Sequence, residues 1–169
     1  RQELVDRSHY IIGGTIQGCE FALQNGVGMN IAGGTHHAFK DHGEAFCLLN
    51  DQAIAAHYLL DTKKASKILI IDLDVHQGNG TAMLFEENPN VFTFSMHGAK
   101  NYPFKKQRSD LDIGLENDTQ DALYLEILKN TLPKLVTKVK PDFIFYLSGV
   151  DILASDKLGK LGCSLEGCM

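Results

Sequence analysis

LIIDLDVHQGNGT, residues 69–81, decides how this chain is read. Leu69, Ile70 and Ile71 have the apolar, β-branched character of an interior strand. The run then places Asp72, Asp74 and His76 at every second position. Side chains alternate across a strand with period two, so these three share one side for as long as the chain stays extended. Two carboxylates and an imidazole gathered together repel and desolvate unless something positive binds them.

The pattern on either side of this stretch alternates helix and strand. A helix is predicted over 14–24, stopped by Asn25 and Gly26. VGMNIAGG follows as a short apolar segment, taken as a first strand, running into a glycine turn. Residues 46–61 carry an apolar stripe at helical spacing. GTAMLFEEN reads as a short helix ending near Asn88 and Pro89. Strands are predicted at 67–72, 91–97 and 142–150. The segment 119–139 reads as a long amphipathic helix that Pro133 could kink or divide. Asp110 and Asp112 repeat the DxD spacing without a histidine and are read as loop and turn residues. Strands separated by helices imply βαβ units and a parallel sheet. The strands are almost wholly apolar, as expected when helices cover both sheet faces. The predicted class is therefore α/β, three-layered, with a mostly parallel sheet.

Ligands of open α/β sheets bind beyond the carboxyl ends of the strands. Four polar segments are expected at that edge: GGTHHAF with His36 and His37; Asp72, Asp74 and His76; Ser95, Met96 and His97; and Ser148, Gly149 and Asp151. Asp74, His76 and Asp151 together could form a two-aspartate, one-histidine metal site with room for water, as catalytic zinc requires. Each signal also has a structural reading. Adjacent histidines can cap a loop, His57 lies within a helical stripe, and His9 and His42 suit the surface. Gly78 and Gly80 can serve turn geometry alone.

Composition narrows the remaining classes. The chain has 169 residues, 44% of them hydrophobic, with 16 glycines, which suits a soluble domain with a real core. A net charge of −5 without a basic run argues against a nucleic-acid surface. The four cysteines, Cys19, Cys47, Cys163 and Cys168, form no CxxC pair and suit a reducing, cytoplasmic compartment. No run approaches the roughly 20 apolar residues of a membrane span. No glycine pattern matches a nucleotide-binding loop. The chain opens on Arg1 and closes on LGCSLEGCM, which is expected of a piece of a longer or clipped protein.

GGTHHAF, GEAFCLLND, IDLDVHQGNGTA, SMH and SGVDILASDKLG, in this order, resemble the histone deacetylase superfamily of the arginase-deacetylase fold. The likeness runs from about Gly13 to Cys163. DVHQGNG and DLDIGL are most similar to bacterial and class-four members. The resemblance implies one deacetylase-like catalytic domain over 1–169, incomplete at both ends. It implies that Asp74, His76 and Asp151 bind one catalytic zinc ion. His36 and His37 match the tandem histidines beside the attacking water, with His37 as general base and His36 as electrostatic support. Asp72 matches the carboxylate that orients His36. It also belongs, with Asp74, His76, Ser95 and Met96, to the positions around a structural potassium or sodium ion. Asn79 stands where some relatives carry an aspartate partnered to the second histidine. An amide can orient that ring but cannot stabilise its charge as a carboxylate would. Phe46 and Tyr102 match the aromatic walls of an acyl-lysine tunnel.

The implied function is zinc-dependent hydrolysis of an acylated amine, acetyl-lysine in a peptide first. The alternatives are an acetylpolyamine or other small amide as substrate, and a non-catalytic binding module. The family's catalytic tyrosine, which follows a glycine-rich segment near its C-terminus, has no counterpart in these residues. Neither does its upstream loop with an acidic residue that grips substrate. The remaining segments of a clipped chain are therefore expected partners.

Overall fold

The computed structural model describes residues 2–169. The elements are α1 (Gln2–Asn25), α2 (Asp51–Asp61), β1 (Ile68–Asp72), α3 (Asn79–Phe85), β2 (Val91–Gly98), β3 (Leu111–Leu115), α4 (Asp121–Val139), β4 (Phe143–Leu147) and the single turn α5 (Leu165–Cys168). The four strands form one sheet in the order β3-β2-β1-β4, and every neighbouring pair is parallel. Register sets Asp72 opposite Ser95 on one side and Leu147 on the other.

Period-two alternation in β1 divides the core in two. Leu69 and Ile71 pack with Phe94, Met96 and the α4 residues Tyr124, Leu135 and Val139. Ile68 and Ile70 pack with Phe145, Cys19 of α1, Ala53, Ala56 and Leu59 of α2, and Phe85 of α3. Helices thus cover both faces, and β1 is buried along its whole length. Each buried side chain of Leu or Ile size contributes about 1.5–3 kcal/mol. The edge strands are less covered: in β4 Ile144 and Tyr146 remain 43% and 60% exposed, and in β3 Asp112 and Gly114 are exposed.

Several local readings are corrected. α1 runs from Gln2 rather than residue 14, because Ser8, Ile11, Thr15 and Cys19 extend its buried stripe toward the N-terminus. VGMNIAGG is not a strand. The Asn30 side chain donates to the Ile11 carbonyl and the Thr15 hydroxyl, tying the segment to α1, while Val27, Met29 and Ile31 point into solvent. The helix expected from 46 begins at 51, where the Asn50 side chain accepts from the Ala53 amide as its N-cap. Asp110 lies in the bend just before β3, as expected, whereas Asp112 lies within the strand rather than in a loop. Asp110 accepts from the Thr93 amide of β2, and Asp112 from Gln77 and from the Ser109 amide. Pro133 neither ends nor divides α4, which continues to Val139. It lies on the exposed side, where water can satisfy the carbonyl that its missing N–H leaves free.

Candidate metal centre

In chain order the strands run β1, β2, β3 outward in one direction, and β4 then returns to the other side of β1. The carboxyl ends of β1 and β4 therefore flank the point where strand order reverses, the usual ligand crevice of such sheets. The segment after β1 stays between its neighbours. Leu73 donates to the Leu147 carbonyl, and the Val75 carbonyl accepts from Gly98. Leu73 and Val75 are buried in the α4-side core. The intervening residues must project the other way.

Asp74, His76 and Asp151 converge there, each part-buried, with one ligand atom from each lying within 4.8 Å of the others. His76 Nδ1 is 2.9 Å from Asp74 Oδ1 and 3.1 Å from Asp151 Oδ2. Backbone amides orient both carboxylates: His76 N–H donates to Asp74, and Val75 N–H to Asp151. Burial alone would lower the His76 pKa, but the two carboxylates outweigh it and raise it to about 9. For Asp74, the His76 hydrogen bond and neighbouring positive charge outweigh burial and hold it down to about 2. The site thus attracts positive charge strongly. Two carboxylate oxygens and an imidazole nitrogen form a suitable donor set for a divalent ion. Among the described residues this is the one group of three or more His, Cys, Asp or Glu side chains with that geometry. Gly149 gives it room: a Cβ there would stand 2.5 Å from Asp151 Oδ1 and 2.8 Å from Asp74 Oδ2.

His36 and His37 lie beside this cluster, their rings 4.2 Å apart. His36 Nδ1 meets Asp72 Oδ2 at 2.6 Å, with both side chains 4% exposed, and its Nε2 is 3.9 Å from Asp74. Burial opposes a charge on His36, but Asp72 prevails and raises its pKa to about 9. His37 Nδ1 meets Asn79 Oδ1 at 2.7 Å. Burial and the neighbouring His36 push its pKa down to about 4. Adjacent rings thus have opposite protonation preferences: the carboxylate behind His36 holds it positive, while burial and that positive neighbour hold His37 neutral against the opposing hydrogen bond from Asn79.

The loop bearing the two histidines has no regular secondary structure, yet it is firmly held. Asp51, at the start of α2, is buried and accepts from the Gly34 amide and from both the amide and hydroxyl of Thr35. Its other oxygen accepts from Thr15 of α1. Thr81 of α3 donates to the His36 carbonyl. Close packing explains Gly78, where a Cβ would lie 2.3 Å from Asp72 Oδ2.

The other expected site residues have separate positions. Tyr102 stands edge-on to His37 with ring centroids 5.2 Å apart. Phe46 is 91% exposed on the turn 44–47, and Phe104, not singled out in the sequence, is similarly exposed beside Tyr102. Ser95 is buried, with its hydroxyl 2.9 Å from His97 Nδ1, and the Met96 side chain packs in the apolar core. No potassium or sodium site is indicated by these contacts. His57 stacks on Phe85, and His42 pairs with Asp41 at the surface. Two residues in the site's support escaped sequence reading, Asp51 and Glu44. Asp51 fell inside the helix expected over 46–61, and nothing in GEAF indicated where Glu44 would reach.

The fold and its crevice define an arginase-deacetylase-like α/β protein. The chain belongs to the histone deacetylase domain family, whose pattern matches residues 1–169. An uncharacterized protein of Picosynechococcus is 51% identical over 164 residues, 97% of this chain and 55% of that protein. Acetoin utilization protein AcuC of Staphylococcus aureus is 35% identical over 170 residues, covering 92% of this chain and 43% of the relative. Histone deacetylase 2 of Arabidopsis thaliana is 32% identical over 159 residues, covering 92% and 41%. The structure of a histone deacetylase homolog from Aquifex aeolicus superposes with a TM-score of 0.86 at 29% identity, covering 95% of this chain and 46% of that one. The chain thus spans about half the length of these relatives. No helix is long and apolar enough to cross a membrane among the described residues.

Proposed function

We propose that the protein containing this chain is a zinc-dependent amidohydrolase that removes an acetyl or related acyl group from an amine, with acetyl-lysine in a peptide as the leading substrate. The observation carrying this reading is the convergence of Asp74, His76 and Asp151 beside two histidines, one paired to a carboxylate and the other to an amide. Asp74, His76 and Asp151 would hold the ion. Zinc in such a site supplies Lewis-acid polarisation of an amide carbonyl and acidifies water.

The remaining chemistry belongs to the chain. His37, neutral near pH 7, takes a proton from the attacking water at Nε2 and later delivers one to the departing amine. His36, kept positive by Asp72, adds a fixed charge that favours developing negative charge beside it. Asn79 orients His37. Phe46 and Tyr102 provide apolar walls for the linear part of an acyl-lysine chain. A carboxyl-proximal tyrosine and a substrate-gripping acid would come from the rest of the protein.

The test is hydrolysis by the full-length, zinc-loaded protein of an acetyl-lysine peptide and of an acetylated polyamine, compared with Asp151→Asn. Turnover of the peptide, lost in the variant, supports the reading. Preference for the polyamine changes the substrate class. No hydrolysis of either by folded, zinc-loaded protein leaves the non-catalytic binding module.

A further inference from the structure

Behind Asn79 lies a carboxylate that the deacetylase reading does not use. Glu44 Oε1 accepts from Asn79 Nδ2 at 2.7 Å, and the same oxygen accepts the Tyr102 hydroxyl. Asn79 Oδ1 in turn faces His37 Nδ1 at 2.7 Å. Glu44, Asn79 and His37 therefore form a hydrogen-bonded chain whose inner members, Asn79 and His37, are buried while the Glu44 side chain is part-exposed. The Glu44 backbone is equally constrained. It exchanges both amide hydrogen bonds with Cys47 across a two-residue turn, in which Ala45 takes the left-handed conformation at φ +51°. The turn carries Phe46 outward while Glu44 reaches inward to Asn79.

The two ends of an amide are nearly isosteric, so Asn79 alone could present either its oxygen or its NH₂ to His37. An ionised carboxylate only accepts hydrogen bonds. With Glu44 on one side, the Asn79 NH₂ must face Glu44 and its carbonyl must face His37. His37 must then carry its hydrogen on Nδ1, leaving a lone pair on Nε2. We propose that Glu44 is a positioning residue that sets the direction of Asn79 and thereby the Nδ1–H tautomer of His37, while anchoring the hydroxyl of the Tyr102 wall. An acceptor-only group is thus present behind this histidine after all, one residue further away than a directly paired aspartate. The catalytic significance of the tautomer rests on the amidohydrolase reading; the tautomer itself does not.

Other charged or titratable groups around His37 are His36 in its own loop, Cys47 at the end of the turn 44–47, Asp74 and His76 from the segment after β1, and Tyr102, while His42 Nε2 lies 3.7 Å from the second oxygen of Glu44. None of them contacts Asn79 Nδ2 as an alternative acceptor.

The experiment uses full-length, zinc-loaded protein with ¹⁵N-labelled histidine. In the wild type, His37 should show a protonated Nδ1 and a bare Nε2; a dominant Nε2–H form overturns the proposal without recourse to any variant. In Glu44→Gln, the new side chain can donate as well as accept, so Asn79 can turn. The expected results are a mixed His37 tautomer and a fall of about tenfold in kcat, within the range for lost outer-shell partners, with KM and zinc affinity nearly unchanged. Adding Asn79→Asp to Glu44→Gln puts an acceptor-only group directly against His37 and should restore the tautomer and most of kcat. A Glu44→Gln protein that loses thermal stability but retains the wild-type His37 signal marks a merely structural role and overturns the proposal. A wild-type Nδ1–H signal that Glu44→Gln shifts, in a protein that hydrolyses no acylated amine, upholds the positioning role and counts against the enzymatic reading alone.

Discussion

His36 and Asp72 stand 36 positions apart in the chain and meet at 2.6 Å, Nδ1 to Oδ2, with both side chains almost fully buried. The contact joins an irregular loop to the end of the central strand. It also commits a buried imidazole to positive charge, because the carboxylate outweighs the cost of burial.

That commitment has a pH signature. His36 is raised from 6.5 to about 9, so its contribution to stability is complete below about pH 6.5 and is lost as pH rises through about 9. In metal-free protein, where His76 is likewise raised to about 9, the urea midpoint should decline over this interval. Asp72→Asn should flatten that decline and cost about 3–5 kcal/mol at neutral pH, as breaking one side of a buried pair does. An unchanged slope in the variant would assign the pH dependence elsewhere.

Metal uptake should release a proton. His76 is held protonated up to about pH 9 by Asp74 and Asp151, but it must be neutral to ligate. Asp74, held down to about 2, has no proton to give at pH 7. Calorimetric zinc titrations at pH 7, in buffers of different ionisation enthalpy, should therefore report about one proton released per ion from this centre. Release should shrink as pH rises through about 9. Independence of buffer would contradict the arrangement of His76 between two carboxylates.

Gly149→Ala tests the cradle without touching a ligand. Its Cβ would enter within 3 Å of one oxygen of Asp151 and one of Asp74. Zinc affinity should fall by about 10- to 100-fold, comparable to loss of an outer-shell partner, while far-ultraviolet circular dichroism stays as in the wild type. Retained affinity, measured by chelator competition, would place the metal away from these carboxylates.

His37→Ala in the full-length protein should reduce kcat by about 10²–10⁴, the usual range for a general acid–base group. Zinc affinity should stay within about threefold, since His37 is outside the proposed ligand set. A loss of metal paralleling the loss of rate would make His37 a ligand instead. Phe46→Ala should act differently, raising KM for the acetyl-lysine peptide more than it lowers kcat.

Much of the architecture was legible because it rests on short-range periodicity. Leu69 and Ile71 facing α4, with Ile68 and Ile70 facing α1–α3, is the two-sided burial expected of an apolar run. The loop 27–34 misled because apolar composition alone does not make a strand. Asn30 draws it onto α1, and no partner strand is available among the described residues to accept its ladder. β3 was missed because its sequence, LDIGL, is short and interrupted by Asp112 and Gly114; its place comes from pairing with Phe94–Gly98.

The same distinction holds at the site. The sequence by itself determined which side chains could meet: alternation puts Asp72, Asp74 and His76 on one side, and parallel strands bring Asp151 to the same edge. Only the tertiary structure decided how they are held. Asp51 fastens the loop bearing His36 and His37 from 16 and 17 positions away, and Glu44 reaches Asn79 across 35. Such contacts depend on the packing of α1, α2 and α3 over one sheet face. A hydrogen bond between distant residues has no local period by which a sequence could announce it.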